Sequence, residues 1–282
     1  RSGAASDMPR LRRLGNAIWS GLVSALGGQH VADPASGMRI LHRSVLQRLY
    51  PLPDGLNFTP VMSTRAIHEN LRVEEVPIPY QERTGQSKLH VLRDGLRFLR
   101  TIVWTALSYN PARPLGGLGV LLCVLAGLIA ALLVSLRMAG VTVLGPWSAT
   151  AVFSAVTLGI AGVDLFALGV VFNYVVSLFA KRPIRQGLFG RPLLKTPLER
   201  HFWWLGLGAM AAGLALGGGS LALGLRGWPL ERLWLYLLAG TMLVLVGLQL
   251  DVFWVIIRVL AELAQREALA RVDLGLEPRG DE

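Results

Sequence analysis

Four long apolar segments in the second half of the chain limit its possible folds more than any other feature. They are residues 115–136, 148–180, 201–225 and 233–257, and each carries at most one Asp, Glu, Lys or Arg. About 20 apolar residues span the hydrocarbon core of a bilayer as an α-helix, which satisfies its own backbone hydrogen bonds there. The sequence therefore predicts an all-α membrane domain of four transmembrane helices over residues 111–260, followed by a tail at 261–282.

The overall composition agrees with a membrane protein and excludes an ordinary soluble domain. Hydrophobic residues make up 52% of the 282 residues, and the mean hydropathy is +0.49. The formal net charge of +10 could indicate nucleic-acid binding in a soluble protein. Here the basic residues flank apolar segments, so we expect anionic lipid or phosphorylated substrates as partners and no nucleic acid. The single cysteine, Cys123, excludes an intrachain disulfide.

The distribution of positive charge predicts the orientation of the membrane domain. Residues 181–200 carry six basic side chains and one acidic side chain, whereas 137–147 and 226–232 carry one and two Arg. The positive-inside rule therefore places residues 181–200 and both chain ends in the cytoplasm of an integral membrane protein, in a bacterial inner membrane or its equivalent. The same cluster could also bind anionic head groups or a lipid phosphate, and the sequence leaves both roles open.

A weak internal repeat predicts that the four segments form two helical hairpins. Residues 162–165 (GVDL) and 247–250 (GLQL) lie in the middle of the second and fourth segments, and each is followed by an apolar run that ends in charge. Two stacked hairpins are the simplest architecture for such a repeat.

Polar and small residues within these segments predict contacts between helices. Asp164 and Asp251 would be costly in lipid, so each should face a partner helix or a cavity. They are candidates for function, but we favour a structural role as interhelical hydrogen-bond partners. Gly213 and Gly217 have the GxxxG spacing that allows close helix approach, although chance could explain this spacing in a segment so rich in glycine.

The first 110 residues show mixed helix and strand patterns. The predicted elements are a helix at 11–26 that ends at Gly27-Gly28, a short strand within 31–40, short helices capped by Ser44 and Asn57 that end near residues 49 and 69, and a strand at 71–80. Such a mixture indicates an α/β layer. Because two strands are few for a complete α/β domain, we expect the chain to be N-terminally incomplete.

Residues 88–110 predict an amphipathic helix just before the first membrane segment. Leu92, Leu96 and Leu99 fall on one helical face, and Arg93 and Arg97 follow one position later. This pattern favours a helix that lies in the membrane interface. The alternative is a surface helix of a globular domain, with the arginine stems covering its core.

Four short motifs follow one another along the first 110 residues. They are Arg12-Arg13-x-Gly15-Asn16, Asp33-x-x-Ser36-Gly37-x-Arg39, Glu75-Val76-Pro77-Ile78-x-Tyr80 and Arg83-x-Gly85-x-Ser87-Lys88-Leu89. In this order and spacing they resemble the second half of a family 2 glycosyltransferase domain, and most closely the polyprenyl-phosphate, dolichol-phosphate mannose synthase-like branch. The four-helix tail is similar to that of members with two membrane hairpins. Gln86 and Met38 stand where the family usually has Glu and Phe.

This resemblance implies a fold and a reaction. Residues 1–87 would be the C-terminal part of an α/β GT-A domain, followed by the interfacial helix at 88–110 and the four-helix membrane domain. The family transfers a hexose from a nucleotide sugar, of the GDP-mannose or UDP-glucose type, to a polyprenyl phosphate at the cytoplasmic leaflet, with inversion and with Mg²⁺ or Mn²⁺. Its metal-binding Asp-x-Asp lies upstream of Arg1, so we expect no metal ligands in this chain and no activity from the chain alone.

The best candidates for phosphate contact lie in the last motif. A polyprenyl phosphate is already anionic at pH 7, so the acceptor needs positioning and charge neutralisation more than a general base. Arg83 and Lys88 suit contact with the donor pyrophosphate or the acceptor phosphate, and Ser87 suits hydrogen-bond donation. Without the family resemblance, a solvated basic loop would explain the same residues.

The other candidates belong to the first three motifs. Arg13 and its neighbour Arg12 are candidates for the acceptor phosphate. Asp33 could hold sugar hydroxyls or orient the acceptor site, or simply be a turn acid before Pro34. Ser36 and Arg39 are candidates for substrate binding, and Arg39 could also pair with Asp33. Three residues are predicted to have supporting roles: Gly37 for close backbone approach or a positive φ, Asn16 for capping or local hydrogen bonding, and Glu75 for anchoring its strand ionically rather than for catalysis.

Two other functions remain open from the sequence. The chain could be a non-catalytic membrane subunit for translocation or scaffolding of lipid-linked sugars, in which Asp164 and Asp251 line a polar path. It could also be a transferase that uses a different membrane lipid as acceptor. The sequence leaves open whether the protein forms a homo-oligomer.

Overall fold

A computed structural model describes residues 10–76, 91–140, 145–180 and 198–274 of the chain. They divide into two compact units, Arg1–Asn110 and Pro111–Glu282. The helices of the first unit are α1 (Arg10–Gly27), α2 (Leu46–Leu49), α3 (Phe58–His68) and α4 (Val91–Tyr109), with 3₁₀ turns at Arg43–Val45 and Gly55–Asn57. The helices of the second unit are α5 (Ala112–Met138), α6 (Pro146–Ala180), α7 (Phe202–Leu225) and α8 (Leu230–Asp273).

The core of the first unit lies where α1, α3 and α4 pack together. Val23 of α1, Ile67 of α3 and Ile102 of α4 are buried there with Val31, which follows α1 in the chain. Gly27 at the end of α1 lies directly against the side chain of Ile67, so a larger residue would collide with it. The helix predicted at 11–26 is thereby confirmed and fixed by tertiary packing.

No strand is present among the residues described in the first unit. Residues 31–40 form a turn and an irregular segment, and residues 71–76 are also irregular. The prediction of a strand in 31–40 is therefore wrong, and so is the prediction for 71–76, whereas residues 77–80 lie outside the described part. A strand needs a neighbouring strand to pair its backbone groups, and the described residues of this unit supply none.

The two predicted helix caps are also corrected. The side chain of His42, not Ser44, accepts a hydrogen bond from the first turn, through the backbone N–H of Ser44. Asn57 precedes α3 as predicted, but its side chain makes no capping hydrogen bond. The helices end close to the predicted positions because Pro51 follows α2 and Asn70, with a positive φ of 52°, follows α3.

The face of α4 that is buried in the first unit is not the face that carries Leu96 and Leu99. Ile102 is 1% exposed and packs in the core of the first unit, and Phe98 meets Trp19 edge to face at 6.3 Å. Leu96 and Leu99, on the leucine face, are 67% and 38% exposed. Leu96 and Leu99 therefore lie outside the described core of the unit, and the interfacial placement of α4 stays a prediction.

The second unit consists of two helical hairpins. α5 packs along α6, α7 packs along α8, and α6 and α8 join the pairs. All four described helices of this unit are long and apolar enough to cross a membrane, in agreement with the four predicted segments. The ring of Phe202 and the small side chain of Ala167 are buried where α6, α7 and α8 meet.

Glycines let the helices of each hairpin approach closely. A Cβ built on Gly162 of α6 would lie 2.9 Å from the carbonyl oxygen of Gly119 of α5. A Cβ built on Gly247 of α8 would lie 2.5 Å from the carbonyl oxygen of Gly206 of α7. Gly162 and Gly247 are the first residues of the predicted repeat, so the repeat marks equivalent contacts in the two hairpins.

The GxxxG spacing in α7 also marks a helix contact. A Cβ on Gly213 would lie 2.5 Å from the carbonyl oxygen of Gly240 in α8, and a Cβ on Gly240 would lie 3.1 Å from the backbone nitrogen of Gly217. The expected close approach is therefore confirmed, since α8 passes over both glycines of the motif.

Candidate functional site

The turn that follows α1 carries the second sequence motif, and α1 holds it in place. The Asn16 side chain donates a hydrogen bond to the carbonyl of Ala32 at 2.8 Å. The Ser20 hydroxyl donates to the carbonyl of Val31, and the Ser24 hydroxyl accepts from the backbone N–H of Val31 at 3.1 Å. Asn16, Ser20 and Ser24 are spaced by four residues, so they line one face of α1 and fix the start of the turn.

Glu75 holds the same turn from the other side. Its carboxylate accepts the backbone N–H of Ala32 at 2.8 and 3.0 Å and the N–H of Asp33 at 3.2 Å. The prediction that Glu75 anchors a strand ionically is therefore corrected: residues 71–76 form no strand, and the bonds go to backbone N–H groups of the turn. Hydrogen bonds to a charged acceptor are stronger than neutral ones, so this contact fixes the position of Asp33 relative to residues 71–76.

Asp33 lies half-buried at the centre of the turn. Its Oδ1 accepts the backbone N–H of Ala35 at 3.1 Å, and its carbonyl accepts the N–H of Ser36 at 3.4 Å. These bonds close an Asp-initiated turn, as the structural interpretation of Asp33 expects. Its Oδ1 is therefore held in a fixed orientation and its Oδ2 is buried, and contact of the carboxylate with a substrate stays a prediction.

Arg39 ties the two ends of the turn together. Its Nε donates to the carbonyl of Ser36 at 2.9 Å, and its Nη2 donates to the carbonyl of Pro34 at 2.9 Å and to the hydroxyl of Ser63 at 2.8 Å. Burial lowers the pKa of the guanidinium from its usual value, while the carboxylates of Asp33 and Glu75 act in the opposite direction. An arginine stays protonated at neutral pH despite such burial, so Arg39 supplies a fixed positive charge beside Asp33.

The remaining candidates of the first two motifs have different environments. Arg13 is exposed on α1, and the side chain of Arg12 lies outside the described part of the structure. Ser36 is half-buried and contributes its carbonyl to Arg39. Gly37 is exposed, has no positive φ and would accommodate a Cβ with nothing within 4 Å, so its predicted backbone role is wrong.

Arg83, Ser87 and Lys88 lie outside the described residues, as do residues 181–197 of the basic connection. Their contacts with phosphate stay predictions. The structure instead adds Ser20, Ser24 and Ser63 to the set of residues that shape the turn. The four-residue spacing that Ser20 and Ser24 share with Asn16 could have indicated their role from the sequence. No local pattern indicates a role for Ser63.

The membrane unit contains two polar contacts that involve the predicted carboxylates. The Nε2 of Gln249 in α8 donates to the Oδ2 of Asp164 in α6 at 3.2 Å, which confirms an interhelical hydrogen bond for Asp164. The carboxylate of Asp251 in α8 lies directly against Gly206 of α7, so it faces a partner helix as expected.

The described residues do not fit a divalent cation. Among them, no group of three or more His, Cys, Asp or Glu side chains is arranged to hold a metal ion. The carboxylate of Glu75 and the Oδ1 of Asp33 instead accept backbone N–H groups at the turn. A site for Mg²⁺ or Mn²⁺ would therefore need ligands other than these.

A family model described as a domain of unknown function (DUF8752) matches residues 111–271 of the chain. Among curated proteins, the chain is 34% identical over 104 residues to a dolichyl-phosphate hexose transferase of Haloferax volcanii, a match that covers 37% of this chain and 45% of the relative. It is 32% identical over 116 residues to a low-salt glycan biosynthesis hexosyltransferase, Agl6, of the same organism, covering 41% of this chain and 28% of the relative.

A third relative is bacterial. The chain is 25% identical over 172 residues to an undecaprenyl-phosphate 4-deoxy-4-formamido-L-arabinose transferase of Edwardsiella ictaluri, covering 60% of this chain and 50% of the relative. The chain thus spans half or less of the length of each of these curated relatives. No solved structure matches the chain.

Proposed function

The chain belongs to the DUF8752 family, whose domain covers its four membrane helices, and from this premise we propose that it is part of a membrane glycosyltransferase that transfers a hexose to a polyprenyl phosphate. The observation that carries the proposal is its similarity to three transferases, two of which are named for a dolichyl-phosphate or undecaprenyl-phosphate reaction and one as a hexosyltransferase. The order of the four sequence motifs supports the same conclusion, and we propose that residues 1–87 are the C-terminal part of a family 2 GT-A domain.

The proposed reaction is a single displacement. An oxygen of the lipid phosphate attacks the anomeric carbon of a nucleotide sugar of the GDP-mannose or UDP-glucose type. The bond from that carbon to the diphosphate breaks, the nucleoside diphosphate leaves with the electron pair, and the configuration of the anomeric carbon inverts. Because the attacking phosphate is ionised at pH 7, catalysis rests on positioning the two substrates and neutralising their charge.

We propose that the turn at residues 31–39 is a rigid element beside the substrate. Three anchors hold it, namely the polar face of α1, the carboxylate of Glu75 and the guanidinium of Arg39. We propose that Asp33, fixed by these anchors, orients a sugar hydroxyl or the acceptor. Arg39 then acts mainly by holding the turn, since its Nε and Nη2 are engaged with Pro34, Ser36 and Ser63.

Two basic segments are proposed to handle phosphate. Arg83, Ser87 and Lys88 would contact the donor diphosphate or the acceptor phosphate, with Arg13 and Arg12 as a second group. A divalent cation, Mg²⁺ or Mn²⁺, would accompany the nucleotide sugar and neutralise the leaving diphosphate, held by ligands that the described residues do not supply. The exposed leucine seam of α4 supports a location of the reaction at the membrane surface, which we propose to be the cytoplasmic leaflet.

Transfer of label to lipid tests the proposal. Membranes that contain the full gene product would receive radiolabelled nucleotide sugars, Mg²⁺ or Mn²⁺ and a polyprenyl phosphate, and the label in the organic phase would be counted. We expect label with the wild-type protein, a large loss with Arg83→Ala or Lys88→Ala, and little change with Arg43→Ala, which removes an exposed arginine elsewhere in the first unit.

The possible results of this assay test the transferase function and the assignment of Arg83 and Lys88 independently. Label that survives both substitutions would support the transferase and contradict the assignment of Arg83 and Lys88. Absence of label with every donor, from a folded protein, would contradict the transferase and favour a non-catalytic membrane subunit for translocation or scaffolding of lipid-linked sugars. Label in a lipid other than the polyprenyl phosphate would support a transferase that uses a different membrane lipid as its acceptor.

A further inference from the structure

A cavity of about 630 Å³ lies within the membrane unit, at the end where α7 connects to α8. Ser220 and Gly219 of α7 line it, together with Trp228 of the connection and with Leu233 and Tyr236 of α8. Arg137, in the last turn of α5, completes the lining.

Small side chains on α7 create this space. A Cβ added at Gly219 would have nothing within 4 Å, so the helix leaves open volume at that position. Ser220 is 5% exposed, and its hydroxyl donates a hydrogen bond to the carbonyl of Leu216 at 2.7 Å. This hydroxyl is therefore satisfied within α7. Leu233 is 3% exposed and forms an apolar floor. A lipid chain can lie against such a wall, because it is built from apolar and self-satisfied groups.

The polar groups of the cavity suit a phosphate. Arg137 is half-buried and is the charged residue among those that line it. The side chains of Trp228 and Tyr236 are half exposed. The indole N–H of Trp228 and the hydroxyl of Tyr236 make no hydrogen bond with the described residues. A guanidinium and two neutral donors match the negative charge and the oxygens of a phosphate, and Trp and Tyr are the side chains that prefer the head-group level of a bilayer.

We propose that this cavity binds the head group of an anionic membrane phospholipid, with its phosphate at Arg137 and its acyl chains against α7 and α8. A lipid is favoured over a soluble anion because the cavity opens at the end of helices that can cross a bilayer, where head groups are at high local concentration. This site is distinct from the phosphate site proposed at Arg83 and Lys88, and it does not depend on the transferase function.

Lipid binding to the purified full-length protein tests the proposal. Native mass spectrometry in a neutral detergent would compare phosphatidylglycerol with phosphatidylcholine of the same acyl chains. We expect the wild-type protein to bind phosphatidylglycerol about tenfold more tightly, as one charge-assisted contact would give. Arg137→Gln should remove this preference, and Arg137→Lys should retain most of it.

A steric pair of variants tests the location. Gly219→Leu should fill the cavity and lower the binding of phosphatidylglycerol about tenfold. Gly218→Leu is the matched control, because its position on the same helix is equally open but does not line the cavity, and it should bind as the wild type does. This pair also decides the question if Arg137→Gln does not fold, as judged by its helical circular dichroism and gel-filtration profile.

Three results would overturn the proposal. The first is an equal preference for phosphatidylglycerol in the wild type and in a folded Arg137→Gln variant. The second is equal binding by the Gly219→Leu and Gly218→Leu variants. The third is complete displacement of the lipid by inorganic phosphate at the same concentration, which would indicate a site for soluble anions.

Discussion

Gln249 of α8 donates a hydrogen bond to Asp164 of α6 at 3.2 Å, and the two residues occupy the same position of the internal repeat. The repeat also pairs Gly162 with Gly247, which mark the close approach within each hairpin. The two hairpins are thus joined by a polar contact between equivalent positions. In a hydrocarbon environment such side chains need a partner, so this contact fixes how α6 and α8 pack together.

Loss of this contact should destabilise the membrane unit. Gln249→Leu would remove the hydrogen bond that the carboxylate of Asp164 accepts from Gln249, and we expect a loss of about 0.6–1.7 kcal/mol, the range measured for hydrogen bonds between membrane helices. Unfolding by sodium dodecyl sulfate in mixed micelles, followed by circular dichroism, measures this difference. A double-mutant cycle with Asp164→Leu isolates the pair, and a coupling energy of zero would contradict a stabilising contact.

The glycines between α7 and α8 should be sensitive to size. Gly213→Leu places its side chain against the carbonyl of Gly240, so we expect a loss of stability of about 1–3 kcal/mol, as for other overpacked sites. Gly208→Leu on the same helix has open space around it and serves as the control. Equal unfolding midpoints for the two variants would show that α7 and α8 do not approach as described.

Glu75 should stabilise the turn at residues 31–39. Glu75→Ala removes the acceptor of the Ala32 and Asp33 N–H groups, so hydrogen exchange of these two amides should accelerate and the first unit should lose about 0.5–1.5 kcal/mol of stability. Its neighbour Glu74 is also exposed and has none of these bonds, so Glu74→Ala should leave both quantities unchanged. Unchanged exchange in Glu75→Ala would mean that the turn is held by α1 and Arg39 alone.

The leucine face of α4 should contact lipid. A fluorophore sensitive to polarity, attached at Leu96→Cys in a Cys123→Ala background and reconstituted in nanodiscs, should emit at shorter wavelength than the same fluorophore at Arg97→Cys. The neighbouring position is an internal control, because it differs by one residue around the helix. The interfacial placement would be contradicted by identical emission at both positions.

The sequence predicted the membrane unit far better than the first unit, for a physical reason. In a bilayer, a long apolar run has few alternatives to a spanning helix, so the four helices and the Gly213–Gly217 contact followed from local patterns. The turn at 31–39 depends on contacts between distant residues, such as Glu75 with Ala32, which leave no periodic signal. The sequence alone does not distinguish an acid that closes a turn or an arginine that is buried from a pair that acts on a substrate. The hydrogen bonds of the structure were therefore needed to show that Arg39 holds the turn and that Asp33 lies at its centre.

The most direct test of the account is whether hexose transfer requires the phosphate of the lipid. Membranes with the full gene product would receive the same radiolabelled nucleotide sugar with either a polyprenyl phosphate or the corresponding polyprenol. We predict label in the organic phase with the phosphate and background label with the alcohol, because the ionised phosphate is the proposed nucleophile. Equal labelling of both lipids, or none with the phosphate from a folded protein, would contradict it.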